Sequence, residues 1–389
     1  MMLKADRLIV VVGVGVCLAL IGFGSSARAN VQVAAVPPTW SHTRIDPAPN
    51  GLHPLNQYPS AASDAQGGWH VAYMSSTDLI IGNLRYASSG PMGWVTDTVA
   101  PGGAFASLAL DDADRPHIAH LQIDAGGTLW STERTGASWQ TQTITTGLNV
   151  AGSGFDLDLA LEPSGSPRVA YTYYSAARPQ YSLGYAEEQG ANWVFQPFDA
   201  ATGRDVNLAL DQDVHAQLAF WDPDQHQVTV ASANATAWDA ATVGPADSPG
   251  YFQIGLDLAS DASDELHLAY SDEMSGQLIY ATRSGSAWVT ETVAAANTFA
   301  FDLVLRLDDA GRPHLAYRPV SDSLPRHAVR SATGWVIEVA SETPARSRLG
   351  LAVDGLNRVA VFYTEAATGA LWVATRQADQ VYLAALHRP

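Results

Sequence analysis

The chain has 389 residues, with 39 acidic against 21 basic residues and a formal net charge of −18. A surface this acidic repels nucleic acid and anionic membranes, which excludes both as partners. The one cysteine, Cys17, and the one lysine, Lys4, stand near the N-terminus. The rest of the chain therefore offers no disulfide framework, thiol nucleophile or lysine base.

The first predicted element is an export signal. Lys4 and Arg7 precede an apolar run over residues 8–23, and Ala27-Arg28-Ala29 follows it. This run is shorter than the ~20 residues that a membrane-spanning helix needs. The pattern is typical of a bacterial signal peptide. We therefore predict a signal peptide over residues 1–29, cleavage near Ala29, and a secreted protein with no membrane span after cleavage.

The remaining chain repeats a phrase that can be written L-A-L-D-x-x-x-x-P-H-L-A-Y. It closes on an aromatic residue or histidine at intervals of 46 to 51 residues, and an acid stands nine residues before each closing position. The closing residues are Tyr73, His120, Tyr171, Phe220, Tyr270, Tyr317 and Tyr363; the acids are Asp64, Asp111, Glu162, Asp211, Asp261, Asp308 and Asp354. One position of the repeat is a histidine in four units: His70, His117, His267 and His314. Because it recurs, we interpret this histidine as structural. We interpret the repeated acids as turn caps.

Each unit predicts four short strands, the number found in a β-propeller blade of this length. The fourth strand carries a tryptophan in six units: Trp94, Trp139, Trp193, Trp238, Trp288 and Trp335. The seventh unit lacks one, and Trp40 supplies it from the other end of the chain. The sequence thus predicts an all-β fold, a seven-bladed β-propeller of four-stranded antiparallel blades over residues 30–375. An N-terminal strand at about 39–46 would close the last blade, and residues 376–389 would form a C-terminal tail.

The turn before the fourth strand resembles a degenerate Asp-box, the repeat of the sialidase-like propeller superfamily. The stretches "TGASW" (135–139) and "SGSAW" (284–288) keep the glycine and tryptophan of that motif but lack its aspartate. The resemblance extends over residues 39–375 and implies architecture, since propellers host unrelated functions. It also implies one catalytic option, in which Arg44 of "TRIDP" would bind a substrate carboxylate as in sialidases.

The loops that the units do not share suggest a ligand site at one end of the propeller, because loops vary while strands carry the packing. Aromatic faces stack on sugar rings, and charged side chains bind sugar hydroxyls. The candidate ligand-binding residues are Tyr173, Tyr174, Arg178, Trp221, Asp222, Asp272, Glu273, Arg318 and Arg326.

A second candidate cluster lies at the start of the innermost strands. Asp156, Asp205 and Asp302 stand six residues before the turn acid, and Asp158 and Asp257 stand four before it. Converging carboxylates repel one another unless a cation or a water network screens them. Oxygen ligands of this kind favour Ca²⁺. We therefore consider a calcium site, with solvated acids in a wet channel as the alternative and no other cofactor.

No catalytic motif occurs in single copy, so the sequence favours a secreted, non-catalytic binding or scaffold protein. We expect a monomer with a glycan or protein ligand. One alternative is a sialidase-like glycoside hydrolase acting at the channel mouth. Another is a purely structural component of the cell surface.

Overall fold

The computed structural model describes residues 39–49, 55–77, 82–123, 127–149, 155–175, 180–196, 198, 203–234, 237–249, 253–285, 287–295, 297–300 and 302–377. The predicted signal peptide, Arg178 and residues 378–389 of the predicted tail lie outside these ranges. Within them, no helix has the length and apolarity of a membrane span.

The described residues form β-strands joined by turns and loops. In chain order the strands are β1 (Ser41–Asp46), β2 (Leu55–Ser63), β3 (Trp69–Ser76), β4 (Gly82–Gly90), β5 (Gly93–Leu110), β6 (Pro116–Gln122), β7 (Thr128–Thr135), β8 (Ser138–Thr146), β9 (Leu157–Leu161), β10 (Pro167–Ser175), β11 (Gln180–Gln189), β12 (Asn192–Gln196), β13 (Arg204–Leu210), β14 (Ala216–Asp222), β15 (Gln227–Ala233), β16 (Trp238–Pro245), β17 (Leu256–Ser260), β18 (Leu266–Asp272), β19 (Gln277–Ser284), β20 (Ala287–Ala294), β21 (Leu303–Leu307), β22 (Pro313–Tyr317), β23 (Arg326–Ser331), β24 (Gly334–Val339), β25 (Ala345–Val353), β26 (Val359–Glu365) and β27 (Leu371–Arg376).

These strands pair antiparallel in six sheets. Five sheets have four strands, and the sixth runs through seven, from β2 to β8. Its strand β5 pairs with β4 through its first half and with β6 through its second half. The innermost strands β2, β5, β9, β13, β17, β21 and β25 lie side by side in this order, and β25 lies beside β2. The molecule is thus an all-β propeller with four-stranded antiparallel blades around a central axis.

The hydrophobic core lies between neighbouring sheets. One cluster joins Leu183 and Tyr185 of β11 to Val206, Leu208 and neighbouring residues of β13 and β14. The second strands are buried on both faces, whereas outer strands such as β8 and β20 are largely exposed. Because each sheet buries both faces against its neighbours, the second strands carry near-continuous apolar runs rather than strict alternation.

Strand β1 is the outer strand of the sheet that contains β25, β26 and β27. Its residues pair with β27 from Ser41, opposite Thr375, to Asp46, opposite Leu371. The Asp46 carboxylate accepts a hydrogen bond of 2.5 Å from the Tyr73 hydroxyl, which belongs to the neighbouring sheet. The N-terminal strand therefore contacts two sheets at once.

Six of the seven repeated acids cap the turns between the first and second strands, as predicted; the seventh, Glu162, accepts a hydrogen bond of 3.2 Å from the Ser164 hydroxyl. Asp308 accepts backbone N–H bonds from Ala310 at 3.0 Å and Arg312 at 2.9 Å. Although burial acts in the opposite direction, hydrogen bonds from His314 and Arg312 hold the pKa of Asp308 at about 2. Equivalent caps occur at Asp64, Asp111, Asp211, Asp261 and Asp354.

The repeated histidines bridge this turn and the third strand of the same sheet. His70 contacts the Tyr86 hydroxyl through Nδ1 and the Asp64 carboxylate through Nε2, at 3.0 Å in the second case. The same ring nitrogen contacts the turn acid at His117, His267 and His314. These contacts support the structural interpretation of the repeated histidines.

Three tryptophans of the fourth strands, Trp139, Trp238 and Trp335, pack against a tyrosine of the preceding unit. Trp139 meets Tyr86 edge-on at 5.2 Å between ring centroids, and Trp335 meets Tyr280 at the same distance. Edge-to-face pairs of this kind contribute about 0.5–1.5 kcal/mol beyond the area they bury. These tryptophans therefore pack one unit against the next.

Candidate functional site: a polar pocket on the propeller axis

The first strands present two layers of side chains to the axis. The first layer stands six residues before the turn acid: Tyr58, Phe105, Asp156, Asp205, Gly255, Asp302 and Arg348. The second layer stands four residues before it: Ser60, Ser107, Asp158, Asn207, Asp257, Val304 and Gly350. All of these residues except Gly255 line one cavity of about 100 Å³. The repeat therefore builds a pocket to which the units contribute aromatic, acidic, basic and small polar groups from the same two positions.

A recurrent backbone distortion places part of the first layer. Tyr58, Phe105 and Asp205 all have positive φ, at 56°, 46° and 52°. Each lies where the strand pairing shifts register. Bulges of this type redirect a side chain next to functional sites. Positive φ costs a non-glycine residue about 1–2 kcal/mol, and strain that recurs at one position suggests a functional role there.

The pocket has an aromatic side. The rings of Tyr58 and Phe105 lie 4.7 Å apart between centroids, and Phe105 contacts Phe155 at 5.7 Å. Burial raises the pKa of the Tyr58 hydroxyl, while Arg348 opposes the shift. The hydroxyl of Tyr58 thus remains a neutral donor or acceptor beside the charged part of the pocket.

The charged side centres on Arg348, whose guanidinium donates a hydrogen bond of 2.7 Å to the Asp156 carboxylate. Strand β25 carries Arg348 and Asp156 precedes β9, and these strands have different neighbours in the ring. The ion pair therefore reaches across the axis. Although burial acts against it, the carboxylates of Asp156, Asp205 and Asp302 raise the pKa of Arg348, so the guanidinium stays charged. One third of its side chain is exposed, which leaves it accessible from solvent.

Asp205 is a buried carboxyl group of the first layer whose pKa is strongly raised. It is 4% exposed and accepts a hydrogen bond of 2.9 Å from the backbone N–H of Ile254. Burial, reinforced by the charge of Asp156, raises its pKa to about 7. Asp205 can therefore hold or release a proton near neutral pH.

The second layer ties neighbouring sheets together. Asp158 accepts hydrogen bonds from the Ser107 hydroxyl at 2.8 Å and the backbone N–H of Leu208 at 2.9 Å, one from each flanking unit. Asp257 accepts the N–H of Leu305 at 2.7 Å and the Arg306 guanidinium at 3.1 Å. Burial and the charge of Asp257 raise the pKa of Asp158 to about 6. Backbone amides and Arg306 thus already engage these two acids.

The five acids considered for calcium do line a single cavity. Arginines pair directly with three of them: Arg318 with Asp302, Arg348 with Asp156 and Arg306 with Asp257. These cations supply the charge compensation that the sequence argument assigned to a metal or to water. The calcium site stays a prediction.

The predicted loop residues of the third and fourth units are mostly packed. Trp221 is 2% exposed and donates its indole N–H to the Ala246 carbonyl at 3.0 Å. Tyr173 and Tyr174 are half-buried, and Tyr174 meets Tyr181 edge-on at 5.9 Å. Because Trp221 is enclosed in the core between sheets, its ring face is not exposed for sugar stacking in this arrangement.

The other predicted loop residues divide into turn caps and ion pairs. Asp222 and Asp272 are buried and accept backbone N–H bonds within their own turns. Glu273 accepts a hydrogen bond from the Ser248 hydroxyl at 3.1 Å. Arg326 pairs with Asp322. Arg318 alone among these residues contacts the axial pocket, through Asp302 at 2.7 Å.

Sequence reasoning missed Tyr58, Phe105 and Arg348. The signal was present, because all three stand six residues before the turn acid, the offset that drew attention to Asp156 and Asp205. Comparing the same slot in every unit, whatever residue fills it, would have found the whole layer.

No protein-family model and no curated protein sequence matches the chain. Several solved structures do match the chain. A protein of unknown function from Dyadobacter fermentans aligns at 10% identity over 86% of this chain and 99% of its own, with a TM-score of 0.51. A fucose-specific lectin from Aleuria aurantia aligns at 14% identity over 74% and 97%, with a TM-score of 0.53. A Hadza microbial sialidase aligns at 11% identity over 83% and 66%; its TM-score of 0.49 supports no conclusion. At these identities the likeness shows the propeller fold alone.

Proposed function

We propose that the protein is a secreted, non-catalytic, carbohydrate-binding propeller whose ligand enters the axial pocket. One observation carries the proposal: the Tyr58–Phe105 aromatic pair and the charged groups of Asp156, Asp205, Asp302 and Arg348 line one cavity. Aromatic faces bind the C–H face of a sugar ring, and carboxylates and guanidinium groups bind its hydroxyls.

The dimensions of the pocket limit the ligand. A cavity of about 100 Å³ is smaller than the ~300–1,000 Å³ of drug-sized ligand sites. It suits the edge of one sugar ring at the end of a glycan. The lectin neighbour supports carbohydrate as the ligand class, without indicating which sugar.

We further propose seven blades. Seven sequence units and seven innermost strands support this count, with the seven-stranded sheet interpreted as two blades that share β5. The pairing of β1 with β27 supports closure by the N-terminal strand. The proposal that the protein is exported rests on the signal-peptide pattern of residues 1–29.

A glycan array on the chain beginning at residue 30 tests the binding site. Tyr58→Ala and Phe105→Ala should each weaken the strongest signal by about tenfold or more, since aromatic anchors typically contribute 2 kcal/mol or more. Phe195→Ala is the matched control, because Phe195 is 46% exposed on the outer strand β12 and does not line the pocket. Absence of glycan binding would reject the proposal, and equal losses in all three variants would reject the pocket.

A glycoside hydrolase is the second candidate, favoured by Asp205. A carboxyl group with a pKa of about 7 is suited to act as a general acid. Chromogenic glycosides distinguish the two functions: a hydrolase should release the chromophore and lose its activity in Asp205→Asn. A binding protein should bind the glycan and leave it intact.

A further inference from the structure

The turn between β17 and β18 differs from its counterparts in charge. Asp261, Glu265 and His267 each place a ligand atom within 4.8 Å of the other two, the only such group of His, Cys, Asp and Glu side chains in the part of the chain that the structure describes. Asp261 and His267 are the turn acid and the repeated histidine of the fifth unit. Glu265 is peculiar to this unit.

Three other units place an arginine where the fifth has Glu265. Four residues after the turn acid stand Arg115, Arg312 and Arg358. Their guanidinium groups pair with Asp111, Asp308 and Asp354 at 2.6, 2.6 and 2.5 Å. Replacing arginine by glutamate removes the positive charge and adds a second carboxylate beside the turn acid. Like charges this close are unfavourable unless a cation lies between them.

His267 provides an independent indication of a ligand. Its side chain is 7% exposed, and Nε2 lies 3.5 Å from the Asp261 carboxylate without a hydrogen-bond partner. Its other nitrogen, Nδ1, contacts the Tyr280 hydroxyl. When Nδ1–H donates to that hydroxyl, Nε2 carries a lone pair directed at the two acids. A buried ring nitrogen in this state can coordinate a metal ion, and the hydrogen bond of the other nitrogen then fixes the orientation of the ring.

The group is reachable from solvent. The Asp261 side chain is 18% exposed. Of the three residues, Glu265 lines a surface cavity of about 480 Å³, together with Ser263, Asp264 and Arg283, among others. An ion could therefore reach Glu265 without opening the fold.

We propose that Asp261, Glu265 and His267 bind a divalent metal ion of the zinc class. One imidazole nitrogen and two carboxylate oxygens are a donor set that Zn²⁺ accepts, and three protein ligands leave one position for water. The site lies at the turn of one unit and does not depend on the proposed carbohydrate function.

Zinc titration by calorimetry, with Co²⁺ absorption as a second readout, tests this proposal on the chain beginning at residue 30. The wild-type chain should bind one ion saturably. Glu265→Arg, which restores the residue type of Arg312, and His267→Gln should each weaken binding by at least about tenfold. His215→Gln is the matched control, because His215 also lies beside its turn acid, at 3.4 Å, but is exposed.

Glu265→Arg keeps the test decisive even if His267→Gln fails to fold. Circular dichroism should show it folded as the wild type, since three other turns use arginine at this position. Absence of saturable zinc binding by the wild type, or unchanged affinity in folded Glu265→Arg, would overturn the proposal. Loss of affinity in His215→Gln equal to that in Glu265→Arg would also overturn it.

Discussion

At the scale of single residues, the carboxyl groups divide into two classes with opposite effects on stability. Burial raises the pKa of Asp205 to about 7 and that of Asp158 to about 6. Despite burial, hydrogen bonds from the turn and from its histidine lower the pKa values of Asp111 and Asp308 to about 2. The lowered groups stabilise the fold above pH 4, and this contribution disappears as pH falls towards 2. The groups with raised pKa values do the opposite. Their contribution to stability is present at low pH and is lost as the pH rises towards the pKa of the folded state.

Asp205→Asn tests the effect of a carboxyl group whose pKa is raised. The folded protein retains the Asp205 proton up to about pH 7, whereas the unfolded chain releases it near pH 3.8. Stability of the wild type therefore falls as pH rises from about 4 to about 7 and then levels off. We expect the variant to exceed the wild type by a few kcal/mol at pH 8, at about 1.4 kcal/mol per pKa unit, and to match it at pH 4. Urea unfolding at both pH values measures the difference, and parallel pH profiles would contradict the assignment.

Arg348→Ala tests the ion pair across the axis. Removing the guanidinium leaves Asp156 without this partner and Asp205 without a compensating charge. We expect a loss of roughly 2 kcal/mol at pH 8 and a smaller loss at pH 5, where the carboxyl group of Asp205 is protonated. Arg346→Ala, an exposed neighbour on β25, should change stability little at either pH. A loss that does not vary with pH would point to packing instead of charge.

At the scale of elements, β1 contributes more than one additional strand. It completes the hydrogen bonds of β27, buries Ile45 and holds Asp46 against Tyr73. Deleting residues 30–46 should expose the edge of β27 and lower the melting temperature by at least about 5 °C. Deleting residues 30–38, which precede the strand, is the control. Equal melting temperatures for the two deletions would show that β1 is dispensable.

The elements were the most predictable part of the molecule. The offset from Trp40 to Ile45 matched that of Trp94 to Val99 and indicated a fourth strand at 39–46; the structure has a strand at Ser41–Asp46. Position within the repeat determines which strand a segment forms, so seven copies of the pattern reinforce one another. The loops lack this redundancy. Trp221 has no tryptophan counterpart at the same position of the other units. The neighbouring sequence does not indicate that the space between two sheets would enclose its side chain.

At the scale of the whole molecule, the pocket exists only because the sheets surround an axis. Asp156 and Arg348 are 192 residues apart in the chain and belong to sheets that do not adjoin. No local pattern reports such a contact. The repeat offset could nevertheless identify which residues face the axis. Which of them meet there depends on the order of the strands and on the bulges at Tyr58, Phe105 and Asp205.

The pairing of Ser41 with Thr375 has a consequence for the chain as a polymer. Because the two strand ends adjoin as in a hairpin, a linker of a few residues could join them, and the chain could start elsewhere. Opening it at the exposed turn between Gln189 and Asn192 would make β12 the first strand and β11 the last. Such a circular permutant should fold with a melting temperature within about 5 °C of the wild type. A permutant that aggregates would mean that the order of synthesis, and not only the final set of contacts, determines the fold.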